Sequence, residues 1–381
     1  MPTKTVPIKK EVTIKSIHQV RSVLPEAPPH SEIAAVVGID LGDKKSSYCA
    51  LDASGGDLGE GVVSTTDQGF RMAFEGKGKM RIAIECGTHS PWVSRLLQEL
   101  GHDVIVVNPR RLRLIAESNR KNDKADARTL ATIAQAAPGL LKRVHHRSER
   151  AQLDLATIKA RDTAVQARSR MVAAMRGIVK STGARLTVCS TGAFAKKALE
   201  SCPATLRDAL TPLLRIIEQL TAEIRKYDRV IERKINDEYP AAASILSIPG
   251  VGSLTALTFV LLLDNDPNRF SKSRDLGCYF GLQPKQQDSG KFVSQLGITK
   301  AGDQLMRSLA VQCSHFMLGR FGRDSALRQW GLSLCLRGGG NAKKRAVIAV
   351  ARKLLILMHR LWKTQTAFVP FPGIQPVPQA A

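Results

Sequence analysis

The chain has 381 residues, 43% of them apolar, which is enough for two or three globular cores and excludes wholesale disorder. Its 57 Lys+Arg against 33 Asp+Glu leave a net charge of +24 and a pI near 10.1, so a polyanionic partner, nucleic acid first of all, is expected. Seven scattered cysteines with no CxxC pair exclude a zinc ribbon and a disulfide framework, and favour a reducing compartment.

Residues 1–33 form a basic, Pro-bearing extension without the apolar core of a secretory signal, expected to be flexible. The longest apolar run, Leu254 to Leu263, is too short to span a bilayer, so a cytoplasmic protein without a membrane partner is expected. Ala34 to Asp40 reads as a strand that ends on a carboxylate. Ser46 to Ala53 and Gly61 to Thr65 continue it as an antiparallel meander. Arg81 to Glu85 is a fourth strand, again ending on a carboxylate. A helix over Pro91 to Leu100 is closed by Gly101, and Asp103 to Val107 is a fifth strand. Lys121-Asn122-Asp123-Lys124-Ala125-Asp126-Ala127 then enters a helix, on which Asp123 and Asp126 share a face.

Ser148 to about Lys180 reads as one long basic helix. A second starts with Thr211 as N-cap and Pro212 at its first position, and carries Leu213, Ile217, Leu220, Ile224, Tyr227 and Ile231 at heptad spacing. That seam suits a helical hairpin within one chain or a coiled coil between subunits. Pro249-Gly250-Val251-Gly252 joins two helical segments in the manner of a helix-hairpin-helix turn, whose backbone N–H groups around Gly250 and Gly252 could bind phosphate. A turn-rich stretch over 267–305 is followed by helices at Asp303 to about Leu318 and about Asn341 to Thr366, and by a Pro-rich tail expected to be disordered. The expected domains are therefore 34–145, 146–240 and 241–366, between the extension and a tail over 367–381.

Three antiparallel strands followed by strand, helix, strand and helix is the order of a ribonuclease-H-like α/β fold. Asp40, Glu85, Asp123 and Asp126 would gather beyond the carboxyl ends of its strands. Four carboxylates around one point repel unless a divalent cation neutralises them, and hard oxygen ligands suit Mg²⁺. Two such ions about 4 Å apart can serve phosphodiester cleavage. Lys121 and Lys124 flank the aspartates, and the bland alternative is a solvated helix face in which they balance the charge. Ser289, before Gly290 and close to Lys291 and Lys300, could be a nucleophile, although a Ser-Gly pair is most often an ordinary turn.

These motifs carry a resemblance. Val37-Gly38-Ile39-Asp40, Ile84-Glu85 with Gly87-Thr88, and Asn108-Pro109 leading to Lys121 to Ala127 resemble the first three motifs of the insertion sequence one-ten transposases. Cys86 stands where that family more often has a small residue. Pro249 to Gly252 and Gly281-Leu282-Gln283-Pro284 … Ser289-Gly290 … Thr299-Lys300-Ala301-Gly302 resemble its C-terminal domain. The resemblance implies a RuvC-like N-terminal domain with an Asp-Glu-Asp-Asp metal site, long coiled-coil helices, and a mainly helical C-terminal domain whose serine, by motif position Ser289, attacks DNA. It further implies donor and target DNA, a non-coding bridge RNA, and a dimer or tetramer assembled through the coiled coil. The alternatives are a site-specific DNA invertase of the same family, a structure-selective two-metal endonuclease, and a non-enzymatic nucleic-acid scaffold.

Overall fold

The protein is described from a computed structural model, over residues 33–108, 122–141, 143–289 and 292–372. The basic extension over 1–32, Lys121, Gly290, Lys291 and the tail from 373 lie outside the described residues. The chain divides into two compact units, at His146 and Arg147.

The first unit is built on a five-stranded sheet: β1 (Ala35–Asp40), β2 (Lys45–Leu51), β3 (Asp57–Ser64), β4 (Met80–Glu85) and β5 (Asp103–Val107). The strand order is β3-β2-β1-β4-β5. β1 pairs antiparallel with β2 and parallel with β4, and β5 pairs parallel with β4. This is the mixed α/β arrangement expected of a ribonuclease-H-like domain. β3 starts at Asp57, earlier than its apolar stretch suggests, because the Gly-rich segment around Gly59 and Gly61 still pairs with β2. A helix α1 (Asp67–Phe74) was not legible in the pattern. Thr66 caps it by accepting from the Gly69 N–H, and Phe70 and Phe74 are buried. With α2 (Ser90–Glu99) it covers the face that carries Val37, Ile39, Ile82 and Ile84.

The opposite face carries Val36, Ala83, Ile105 and Val107, and it is covered by α3 (Asp123–Ala136) through Leu130 and Ala134. Strand residues alternate between faces, so Gly38 and Asp40 follow Val36, and Glu85 follows Ala83, onto the α3 side.

In the second unit, α4 (Glu149–Ser181) and α6 (Arg207–Asp237) run antiparallel, with α5 (Phe194–Ser201) at their tip. Their 33 and 31 residues make rods of about 50 and 46 Å. Arg161–Asp228 at 2.6 Å and Lys234–Asp154 at 2.6 Å cross between them. Burial pushes the Asp154 carboxyl up, but hydrogen bonds from Lys234 and Tyr239 outweigh it and hold the group below the usual carboxylate range. At their base Leu155, Ile158, Ile231 and Ile235 share one core with α7 (Ser253–Leu262), α8 (Gln304–Leu318) and α10 (Ala342–Thr364). Every residue of α7 from Thr255 to Leu262 is buried, as befits a helix that is apolar all round.

Three readings of this unit need correction. α6 begins at Arg207, not at Thr211, so Pro212 lies inside the helix and the Thr211 hydroxyl donates back to the Arg207 carbonyl instead of capping. Burial of Leu210 and Leu214 at the tip holds that extra turn. The buried line of α6 is Leu210, Leu214, Ile217, Thr221, Ile224, Ile231 and Ile235, which shares only Ile217, Ile224 and Ile231 with the expected seam. Pairing with α4 draws polar positions inward, because Arg168 and Arg161 meet Thr221 and Asp228. The turn-rich stretch contains an antiparallel hairpin, β6 (Pro284–Ser289) and β7 (Phe292–Ile298), and a further helix, α9 (Ala326–Cys335), precedes α10.

Candidate functional site

Gly38 decides how closely α3 can lie on β1. A Cβ there would stand 2.1 Å from the Ala127 carbonyl oxygen and 2.4 Å from the Ala131 nitrogen. Backbone therefore touches backbone, and the first turn of α3 is brought to the carboxyl end of β1. Asn122 caps that turn, its side chain accepting from the Lys124 N–H at 3.3 Å. Arg128 fastens the far side of the helix to β3, with Nε donating to Glu60 at 3.0 Å and a second contact to Asp57.

Asp40 is half-buried where β1 ends, and Glu85 is half-buried where the neighbouring β4 ends. Asp123 and Asp126 lie exposed in the first turn of α3. Burial, with the charges of Asp123, Asp126 and Glu85, pushes the Asp40 carboxyl up to about 6. The other three carboxylates thus lie near enough to Asp40, at one end of the sheet, to act on its charge. Among the described residues, however, no three His, Cys, Asp or Glu side chains stand close enough to form a finished metal cluster. As a donor set, four carboxylates with a mutual repulsion concentrated on Asp40 fit a hard divalent cation.

The loop after β4 adds a group that spacing alone did not reveal. His89 Nε2 stands 3.5 Å from Asp43 in the loop after β1, while its Nδ1 accepts from Trp92 Nε1 at 3.2 Å. The only signal in sequence was proximity to Glu85 in a Gly-Thr-His-Ser stretch.

The other candidates lie in the second unit. Ser289 closes β6 opposite Phe292, so it ends a strand of a hairpin instead of sitting in an open turn. At the hairpin base, Lys300 adopts a left-handed backbone (φ 56°), and the Gly281 carbonyl accepts its N–H at 3.1 Å. The buried Thr299 hydroxyl beside it has no partner among the described residues. Gly250 has φ 90° and is covered by the Phe316 ring, and Gly252 leads into α7 without a side-chain cap. A cavity of about 440 Å³ adjoins this turn, lined by Gly250, Gly252, Thr255, Gln312, Cys313 and Phe316. None of these carries charge, so a phosphate held there would rely on backbone N–H groups alone. Lys124 is exposed in the first turn of α3.

Residues 37–183, which include all four carboxylates, match a family model described as Transposase, of the DEDD type in IS110 elements. Residues 242–329, which include Ser289, match the model described as Transposase IS116/IS110/IS902 family. The transposase for insertion sequence element IS1328 of Yersinia enterocolitica is 30% identical over 256 residues, covering 65% of this chain and 74% of that protein. This chain belongs to the IS110 family of transposases. The transposase is also 28% identical over 345 residues to the transposase for insertion sequence element IS1111A of Coxiella burnetii, covering 87% of this chain and 91% of that one. A pilin gene-inverting protein of Moraxella lacunata is 29% identical over 156 residues, covering 40% of this chain and 47% of its own. The transposase is thus a DNA transposase/recombinase enzyme, and its DEDD domain implies a divalent metal. Among the described residues no helix is long and apolar enough to cross a membrane.

Proposed function

We propose that the transposase breaks and rejoins DNA strands with a Mg²⁺ site on Asp40, Glu85, Asp123 and Asp126 and with Ser289 as nucleophile. The observation that carries the metal site is the placing of Asp123, Asp126 and Glu85 around a half-buried Asp40, whose carboxyl is raised by burial first and by those three charges second; a cation there would offset both. When bound, Mg²⁺ supplies charge neutralisation at the scissile phosphate. Asp123 and Asp126, exposed in the first turn of α3, would complete the ligand set with Asp40 and Glu85. The Ser289 hydroxyl forms a bond from its oxygen to phosphorus and gives its proton to a base or to water. The phosphorus–oxygen bond to one deoxyribose breaks, and that oxygen leaves as a hydroxyl after taking a proton. Attack on the phosphoserine by a hydroxyl of the partner strand then restores a phosphodiester and frees the serine. No water is consumed, so the bond energy is kept for rejoining.

Similarity to proteins named as inverting pilin genes favours strand exchange over simple hydrolysis. We further propose that a non-coding bridge RNA pairs with donor and target DNA, and that the active form is a dimer or tetramer.

Denaturing gels with end-labelled DNA test the serine. A protein–DNA adduct is expected with Mg²⁺, is lost in EDTA, and falls roughly 10³-fold or more in Ser289→Ala. Asp123→Asn is expected to abolish cleavage while leaving DNA binding in EDTA intact. Undiminished adduct in Ser289→Ala would reject the serine, and cleavage without any adduct would favour the endonuclease. Sequencing RNA that copurifies with the protein tests the guide: a single structured RNA with loops matching both DNA partners is expected, and random cellular RNA would refute it.

A further inference from the structure

About midway along the α4–α6 hairpin, beside α5, lies a cavity of about 630 Å³ that the cleavage chemistry does not use. Lys196, Lys197, Glu218, Thr221 and Arg225 are among its lining residues. Three are cations and one is an anion. Lys196 and Lys197 come from the first turn of α5, and Thr221 and Arg225 lie one turn apart on α6.

More positive charge stands behind this wall. Arg168 of α4 donates from Nη1 to the Thr221 hydroxyl at 3.2 Å, and that hydroxyl in turn donates to the Ile217 carbonyl at 2.8 Å. The Arg168 Nε is buried and has no hydrogen-bond partner among the described residues. Asp228, the carboxylate nearest in role, is occupied by Arg161 at 2.6 Å. Burial, with the charges of Arg161 and Arg225, lowers the Arg168 guanidinium from its ordinary value, and Asp228 only partly offsets this. Arg176 repeats the pattern: its Nε is buried without a partner, and its guanidinium lies 5.3 Å from the Phe194 ring at the start of α5. Charge left unbalanced in a partly desolvated place is costly unless an anion compensates it.

We infer that this cavity holds a backbone phosphate of bound nucleic acid, with Lys196, Lys197 and Arg225 as its cationic walls and Arg168 as the charge behind Thr221. A transposase acts on DNA, and a phosphodiester carries charge without sequence information, which matches a wall of cations with few shaped acceptors. The site stands roughly 24 Å along α6 from its Asp237 end. It would grip a strand at a distance from the base of the hairpin, and it does not depend on the roles given to Asp40 or Ser289.

Fluorescence anisotropy over a KCl series tests this, with non-specific duplex DNA and with an RNA hairpin of equal stem length. For Lys196→Ala/Lys197→Ala/Arg225→Ala the slope of log K against log salt is expected to become shallower by about one or more, with affinity weakened about tenfold. Arg170→Ala/Lys180→Ala, which removes two exposed cations of α4 outside the cavity wall, is expected to change both less. Loss with DNA alone assigns the phosphate to DNA, loss with RNA alone assigns it to RNA, and loss with both supports a site for either backbone. Unchanged slopes for both probes, or equal effects in the control pair, would overturn the site. If the triple variant loses helicity by circular dichroism, Arg225→Gln alone, at an exposed position, carries the same comparison.

Discussion

Gly38 shows how much one absent side chain can decide. With a Cβ 2.1 Å from a backbone oxygen, Gly38→Ala has no flexible neighbour to displace, so α3 must lift from the sheet. The expected cost is about 3 kcal/mol, read as an earlier urea midpoint, together with loss of Mg²⁺-dependent cleavage as Asp123 and Asp126 move away from Asp40. The placing of Asp40 and Glu85 was legible in the sequence, since both end apolar strands and strand alternation puts both on the α3 side. The distances among the four carboxylates were not legible, because these depend on a close contact that only the folded chain reveals. His89 was also hidden, since its partners Asp43 and Trp92 come from different elements.

At the scale of elements, α6 illustrates local preference yielding to packing. Proline is at home in a first turn, and the Thr-Pro pair therefore suggested a start that the structure moves five residues earlier. Burying Leu210 against the tip core outweighs the missing N–H of Pro212. Pro212→Ala restores that donor and is expected to stabilise the helix by about 1–2 kcal/mol, which the chemical denaturation midpoint can check. The same competition explains the seam. Heptad counting found one row of the buried line of α6, Ile217, Ile224 and Ile231, but placed the second row one position off, because it could not foresee that Thr221 and Asp228 would be drawn inward by arginines of α4. The hairpin β6–β7 escaped notice because Pro284 to Ser289 is a polar run, without the apolar alternation that marks a half-buried strand.

Across the whole molecule, among the described residues, each unit buries one neutral histidine, His102 between backbone groups and His359 between a backbone carbonyl and a hydroxyl. His102 accepts from the Met80 N–H through Nδ1 and donates through Nε2 to Phe74. His359, with no exposed surface, donates through Nε2 to Pro267 and accepts from Ser273. Burial lowers the proton affinity of both rings. An unfolded chain takes up these protons at about pH 6.5, whereas the folded one resists, so stability is present above that pH and declines as the pH falls below it. Calorimetry in EDTA is expected to show a melting temperature that drops from pH 7.5 toward 5.5, and a shallower drop in His102→Gln/His359→Gln. Asp40, raised to about 6, acts in the opposite sense over the same span, so the decisive comparison is between the two proteins: a pH dependence identical in His102→Gln/His359→Gln and the parent would contradict the burial of these rings as neutral groups.

The backbone contact at Gly38 also bears on how this enzyme can change. Most active sites can be retuned by exchanging core residues under them, because a layer of side chains transmits small shifts. At Gly38 no side chain separates α3 from β1, so the separation of Asp40 from the helix aspartates behaves as a fixed ruler. Variants selected for a larger or smaller ion should accordingly alter the reach of the carboxylates themselves, Asp to Glu or the reverse, and leave the interface beneath them untouched.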